Sequence, residues 1–298
     1  MPSTQQVKVD DRTLKLTNLE KVLYPAANFT KAHVLDYYSR VSQWILPHLK
    51  DRPVTLKRFP DGPDAPAFYE KEAPRYTPEW VATAPVPRRA GGKDIRYILI
   101  NDRATLLWCA NLASLELHTF LHRANALDTP GAIVFDLDPG EGSGIATCAQ
   151  VALLLRERLE KLGLKAWPKV SGSKGIQLYV PLNRKATYAD TQPFAHSLAD
   201  ALSREHPALI VSDMAKSLRR NKVLIDWSQN SDFKTTIGVY SLRAKERPYV
   251  SLPVTWEELS AHPEALYFEP AAALERLAKL GDLFAPVLEL KQTLPALR

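Results

Sequence analysis

Ile133-Val134-Phe135-Asp136-Leu137-Asp138-Pro139-Gly140 reads as a buried strand that ends in a turn. Its apolar run suits a strand interior, and Pro139-Gly140 stops it. Side chains two apart on a strand share a face, so Asp136 and Asp138 project together at the strand's C-terminal end. Two like charges that close repel unless something positive sits between them. A divalent cation with a preference for oxygen ligands, Mg²⁺ or Mn²⁺, meets that need. Asp before Pro-Gly is also good turn chemistry, and on this stretch alone the two readings stand level.

The surrounding chain of 298 residues is long enough for one large domain or two small ones, and 45% apolar residues supply a sizeable core. Net charge is +6, which favours an anionic partner such as nucleic acid, a nucleotide or a membrane surface, or simply aids solubility. Cys109 and Cys148 lie in apolar patterns without CxxC or Cys/His zinc spacing, and read as buried thiols in a reducing compartment. The segment from Met1 to Asp10 is polar and no signal peptide, and no apolar run reaches membrane-spanning length. The expectation is a soluble cytoplasmic protein.

Working outward, Asn18 and Lys21 lie in a segment ending at Pro25. Thr30 is a candidate N-cap for a helix carrying Lys31 and stopping before Pro47. Lys21 and Lys31 read by spacing as solvated. Pro53 to Pro60 alternates as a strand and carries Lys57; Phe68 and Tyr69 follow a Pro/Gly/Asp loop. Aromatics among basic residues can stack on bases, and they can equally be core. Ala104 to Arg123 reads as one buried helix with His118 and His122 at i, i+4, a pair better suited to packing or hydrogen bonding than to metal.

After the Asp136/Asp138 strand comes a helix whose apolar face is Val151, Leu154, Leu155, Leu159 and Leu162. Then Ser171-Gly172-Ser173-Lys174-Gly175 lies between two strands. Glycines, hydroxyls and a lysine make a phosphate cradle, although the Walker spacing is absent and a plain Gly/Ser hairpin is as good a reading. A helix over 190–205 and the basic residues Lys216, Arg219, Arg220 and Lys222 lead into the strand Val223-Leu-Ile-Asp-Trp227. An acid in an apolar strand is costly to bury unless paired or metal-bound, so Asp226 stands as a third carboxylate. Two metal ions held by Asp136, Asp138 and Asp226 suit in-line nucleotidyl transfer from a nucleoside triphosphate, with Lys and Arg on the phosphates.

The ordered motifs FDLDPGEG, SGSKGIQLYVPL and KSLRRNKVLIDWSQNS, with LTNLEKVLYP, LKRFP and NDRATLLWCANLASLELH, span nearly the whole chain. Together they resemble the polymerase domain of bacterial ligase D, of the archaeo-eukaryotic primase superfamily. The resemblance implies an α+β fold: a primase-like catalytic core with an RRM-like sheet over about 126–298, and an N-terminal α/β part over about 1–125, packed as one domain. It implies Mn²⁺- or Mg²⁺-dependent addition of nucleotides, preferably ribonucleotides, to DNA 3′ ends at breaks and gaps. Asp136 and Asp138 would hold both metals, and Asp226 the one that activates the primer hydroxyl. Lys57, His118, Ser171, Ser173, Lys174, Arg219, Gln229 and Arg243 would bind the NTP or dNTP. Asn18, Lys21 and Lys31 would match a pocket for a downstream 5′-phosphate, and Phe68 and Tyr69 an aromatic pair stacking at the DNA end. Implied partners are DNA ends and gaps, Ku, and a fused or separate ligase; the setting is a prokaryotic cytoplasm, at the nucleoid when on DNA.

Two departures qualify the match. The second motif commonly ends in His, and here that place is Gln177, which donates a hydrogen bond but carries no charge. The KxDG motif of a ligase domain is absent and no phosphoesterase domain is seen, which implies an excised domain or a stand-alone relative. Among rivals, a haloacid-dehalogenase phosphatase needs DxDx[TV], whereas Pro139-Gly140 follows here; neither it nor a DxD glycosyltransferase explains Asp226. A non-catalytic end- or gap-binding module that recruits a ligase would be marked by loss of a metal carboxylate, and none is lost.

Overall fold

The computed structural model describes residues 4–295; Met1–Ser3 of the polar N-terminus and Ala296–Arg298 of the tail lie outside the described residues. In chain order the first part contains β1 (Thr4–Val9), β2 (Arg12–Thr17), β3 (Val22–Tyr24), β4 (Phe29–Thr30), α1 (Lys31–Leu49), β5 (Pro53–Arg58), β6 (Phe68–Glu70), β7 (Thr83–Val86), β8 (Ile95–Leu99), α2 (Arg103–Asn111) and β9 (Ser114–Thr119). Next come β10 (Ala132–Pro139), α3 (Ile145–Lys161), β11 (Trp167–Val170), β12 (Ile176–Pro181), α4 (Tyr188–Glu205), β13 (Ile210–Val211) and β14 (Val223–Asp226). The chain closes with β15 (Thr236–Ile237), β16 (Leu252–Pro253), α5 (Trp256–Ala261), α6 (Pro270–Leu280) and α7 (Pro286–Glu289). This is an α+β protein. Among the described residues no helix is long and apolar enough to cross a membrane.

The elements form two compact units. One comprises residues up to Asn125 with Thr235–Ser251 and Phe268–Lys279; the other comprises Ala126–Lys234, Leu252–Tyr267 and the residues from Leu280 on.

In the first unit a sheet runs β15-β9-β5-β8-β7, with β6 paired to β5. Thr30 caps α1 as its sequence indicates, its side chain accepting from His33 N. The helix continues past the expected stop to Leu49 with Pro47 inside it. A proline so near the end forfeits one hydrogen bond, while Ile45, His48 and Leu49 on the last turns are buried. Buried tyrosines pin neighbouring backbone: Tyr24 Oη donates to Arg243 O, Tyr37 Oη to Tyr240 O and Tyr38 Oη to Leu115 O.

The expected helix over 104–123 is corrected. α2 ends at Asn111, Ala113 turns the chain with φ +58°, and β9 follows as an interior strand between β5 and β15. An all-round apolar run carries no period, so it hid the change. From Ser114 the pattern alternates, with Leu115 and Leu117 on one face and Glu116 and His118 on the other. His118 and His122 are therefore not a helical pair; His122 is buried and stacks on Phe120.

In the second unit the sheet order is β13-β14-β10-β12-β11-β16, antiparallel except for β13 with β14. α3 and α4 bury Val151, Leu155, Leu159, Phe194, Leu198 and Leu202 as their periodicity requires. Cys148 and Cys109 are buried free thiols, and burial pushes both thiol pKa values up.

Two glycines set the architecture around the carboxylate strand. A Cβ on Gly140 would lie 1.7 Å from Arg219 O, and one on Gly175 would lie 2.6 Å from Leu137 O. Both loops approach β10 more closely than any side chain permits. Gly140→Ala is accordingly expected to lower unfolding free energy by about 2–3 kcal/mol through forced displacement of backbone. Urea denaturation of the variant checks this, and an unchanged midpoint would refute the close approach.

Candidate active site

Strand pairing in the second unit builds one row across four strands. Lys169 on β11 faces Gln177 on β12, Gln177 faces Asp136 on β10, and Asp136 faces Asp226 on β14. Register partners point to the same side of a sheet. Asp138 stands two residues beyond Asp136 on that side.

Burial, then the charge of Asp138, raise the Asp136 carboxyl to about 7; Asp226 adds to this, while a hydrogen bond from Gln177 and the charge of Lys169 oppose it. Lys169 is fully buried, with its ammonium 5.6 Å from the Tyr179 ring centroid. Lys169 is marked by none of the motifs, its only signal being a lysine inside an apolar strand, whereas Gln177 holds the place where the second motif commonly has His. Gln177 is engaged with a carboxylate.

Asp226 is 9% exposed and ends β14. Its Oδ1 accepts from Ser228 N at 2.9 Å and from the Ser228 hydroxyl; its Oδ2 accepts from Gln229 Nε2 at 3.0 Å. Lys234 donates to Ser228 Oγ. Asn230, wholly buried, locks this turn to β10: its Oδ1 accepts from Val134 N and its Nδ2 donates to Val134 O, both at 2.8 Å. The contact of Asn230 with β10 joins residues 96 apart in the chain and is invisible without the fold.

The 171–175 loop is organised by Ser171. Its Oγ accepts from Ser173 N and Gly175 N, each at 3.2 Å, and its own N donates to Gly175 O at 2.9 Å. A Cβ added to Gly175 would also lie 3.4 Å from Asp138 Oδ1, so the loop passes close beside that carboxylate, and Lys174 is exposed. Half-buried Arg219 donates to Met214 O at 2.6 Å.

Among the described residues no three His, Cys, Asp or Glu side chains form a ready-made metal cluster. The donor chemistry fits a hard divalent cation: crowded carboxylates, all oxygen, with Asp136 driven toward protonation by burial and by the neighbouring charges of Asp138 and Asp226 in spite of Lys169.

The first unit carries a second constellation. Glu116, 2% exposed, accepts from Arg243 Nε at 3.2 Å and from Ala244 N at 3.0 Å through Oε1. His118 Nε2 lies 2.9 Å and Lys57 Nζ 3.7 Å from its Oε2. Three of the residues expected at the nucleotide, Lys57, His118 and Arg243, are thus brought together by a fourth that the motifs did not mark. Phe68 and Tyr69 are 44% and 57% exposed on β6, which removes the core reading for them. Arg58 lies over Phe68, and Lys57 over Tyr69.

Asn18, Lys21 and Lys31 also converge. Lys21 N donates to Asn18 O, and Lys31 N to Lys21 O. Lys21 Nζ pairs with Asp61 at 2.6 Å, and Lys31 Nζ donates to Thr17 Oγ1 at 3.2 Å. Burial, then the charges of Lys21 and Arg58, lower Lys31 to about 8. The reading of these two lysines as solvated holds for half-exposed Lys21 but not for Lys31, which is 5% exposed.

Carboxylates on neighbouring strands beside a serine-organised Gly/Ser/Lys loop define a nucleotidyltransferase of the primase type. The family model for the LigD primase-polymerase domain matches residues 30–284, and the chain belongs to that family of DNA-directed nucleotidyltransferases. It is 42% identical over 276 residues to the multifunctional non-homologous end joining protein LigD of Mycolicibacterium smegmatis, covering 92% of this chain and 36% of that protein. It is 32% identical over 272 residues to the bifunctional LigD of Bacillus subtilis, covering 91% of this chain and 43% of that protein. The chain therefore spans well under half the length of these relatives. The solved polymerase domain of Mycobacterium tuberculosis ligase D in complex with DNA superposes with TM-score 0.87 at 40% identity, covering 94% of this chain and 99% of that one.

Proposed function

We propose that this chain, acting as a single polymerase domain, adds nucleotides, preferably ribonucleotides, to DNA 3′ ends at breaks and short gaps. The setting would be bacterial end joining or gap filling in the cytoplasm, with Ku and a ligase as working partners. The observation that carries the proposal is the row Lys169–Gln177–Asp136–Asp226 with Asp138 beside it, next to the 171–175 loop.

Asp136, Asp138 and Asp226 would hold two Mn²⁺ or Mg²⁺ ions. When bound, such ions lower the pKa of the attacking hydroxyl and neutralise the leaving pyrophosphate. The chain's own residues do the rest. Lys169 and Gln177 steady Asp136 from its far side, so that its carboxylate meets the ion already oriented. The Ser228–Gln229 turn holds Asp226. Ser171 shapes the loop so that backbone N–H groups, Ser173 and Lys174 can take phosphate oxygens. Arg219 and Gln229, with Lys57, His118 and Arg243, would supply the remaining nucleotide contacts. Asn18, Lys21 and Lys31 would hold the 5′-phosphate, and Phe68 and Tyr69 would stack on the exposed base pair.

Primer extension on a one-nucleotide gap bearing a 5′-phosphate, with Mn²⁺ and either rNTPs or dNTPs, tests this. Insertion with rNTPs favoured is the expected result. Tight gap binding without insertion would replace the polymerase by an end-binding module.

A further inference from the structure

Glu116 has no role in the family resemblance, and at first sight it is misplaced. A carboxylate among three cations proposed to grip a polyphosphate removes positive charge from an anion site. Its geometry explains what it gives in return. Three hydrogen bonds and one ion pair from three parts of the first unit converge on its two oxygens: the Lys57 ammonium from β5 at 3.7 Å, His118 two residues along β9, and Arg243 Nε and Ala244 N from the segment after β15. Lys57 and Glu116 are direct cross-strand partners, so the ammonium is aimed by register.

The carboxylate is ionised. Burial opposes that, but the hydrogen bond from His118 and the charges of Arg243, His118 and Lys57 outweigh it and hold Glu116 down to about 2. An ionised carboxylate only accepts hydrogen bonds, so the His118 ring nitrogen facing it, Nε2, carries the hydrogen. Nδ1 is the ring atom that remains for substrate. In the neutral ring Nδ1 is itself an acceptor and repels a phosphate oxygen; only the imidazolium donates there. The groups facing His118 are Glu116 on its own strand, Lys57, Arg243 and the edge of the Tyr69 ring, 5.8 Å away between centroids. Burial pushes the imidazole below its ordinary value; Glu116 opposes this, and Arg243 and Lys57 reinforce it.

We propose that Glu116 is a positioning residue for the incoming triphosphate: it holds Lys57, His118 and Arg243 as one pre-arranged cradle and commits His118 to bind phosphate through Nδ1, with uptake of one proton from solvent. This rests on the reading that these three cations take the nucleotide. Pre-ordering long side chains before the substrate arrives removes an entropic cost from binding rather than from the chemical step. The effect therefore falls on KM.

The test uses the whole chain with Glu116→Gln, Glu116→Asp, Arg243→Ala and His118→Ala, in Mn²⁺-supported gap filling and in titrations with inorganic triphosphate. Glu116→Gln is expected to raise the nucleotide KM about tenfold, with kcat within about twofold, and to weaken inorganic triphosphate by the same factor. Glu116→Asp should recover part of the loss. Triphosphate affinity of the native chain should rise as pH falls through the His118 titration, and in Glu116→Gln that inflection should move to lower pH. Native KM in a folded Glu116→Gln, or a fall in kcat at constant KM, would overturn the proposal. If Arg243→Ala and His118→Ala leave triphosphate affinity intact, the reading beneath it fails instead. Nitrogen NMR of the native chain needs no variant: a hydrogen on Nδ1 of neutral His118 would overturn the tautomer and with it the proposal.

Discussion

Asp138→Ala is expected to reduce nucleotide addition at least about a thousandfold while gapped DNA still binds. Removing a single preorganised hydrogen-bond donor from an enzyme's charge-stabilising site costs about 10²–10³ in rate. A carboxylate that would ligate both ions contributes more, because its loss weakens activation of the hydroxyl and release of pyrophosphate together. Asp138 also separates function from folding better than its neighbours do. It is half-buried at the strand end, whereas Asp226 organises the turn through Ser228 and Gln229. The DNA contacts proposed for Lys21, Lys31, Phe68 and Tyr69 draw on other side chains, so binding is retained. Single-turnover extension with saturating Mn²⁺, run beside a gel-shift titration, reads both quantities. Normal extension by the variant would remove Asp138 from the metal set.

The second large effect is expected at the proposed 5′-phosphate pocket. Lys21→Ala combined with Lys31→Ala should abolish the preference for a 5′-phosphorylated gap over an unphosphorylated one. Charge-assisted hydrogen bonds are worth about 1.5–3 kcal/mol each, so the pair would account for a preference on the order of a hundredfold or more. Lys31 adds a pH signature. Its folded-state pKa of about 8 lies below the ordinary 10.5, because burial and the charges of Lys21 and Arg58 disfavour its charged form. Holding that ammonium buried costs folding stability below about pH 8, and the cost fades between about 8 and 10.5. For binding the sign reverses: phosphate needs the charged form, so the preference should weaken as pH rises through about 8 and above. An unphosphorylated gap titrated in parallel serves as the control. A preference that survives the double substitution, or that stays flat to pH 10, would move the phosphate elsewhere.

Much of the second unit was legible because its chemistry is written in contiguous strands. Asp136 and Asp138 share a face by strand period alone, and Asp226 stood out as an acid in an apolar strand. The first unit was harder. Leu106 to Leu117 is apolar in almost every direction, and helix and strand then give the same local pattern. What decided between them was the place that β9 takes between β5 and β15, a long-range pairing. That error concealed Glu116, since on a helix it would not share a face with His118. Asn230 and Lys169 were opaque for a related reason: a buried polar side chain declares itself only once the strands around it are known.

The sequence by itself determined the α+β class, the carboxylate strand, the Ser/Gly/Lys loop and the family, because each rests on residues adjacent in the chain or on ordered motifs. The tertiary structure decided which charges meet. Strand register put Lys169, Gln177, Asp136 and Asp226 in one row, and returning segments brought Arg243 onto Glu116 and Lys31 beside Lys21. Electrostatic interaction depends on separation and burial, which chain order does not encode.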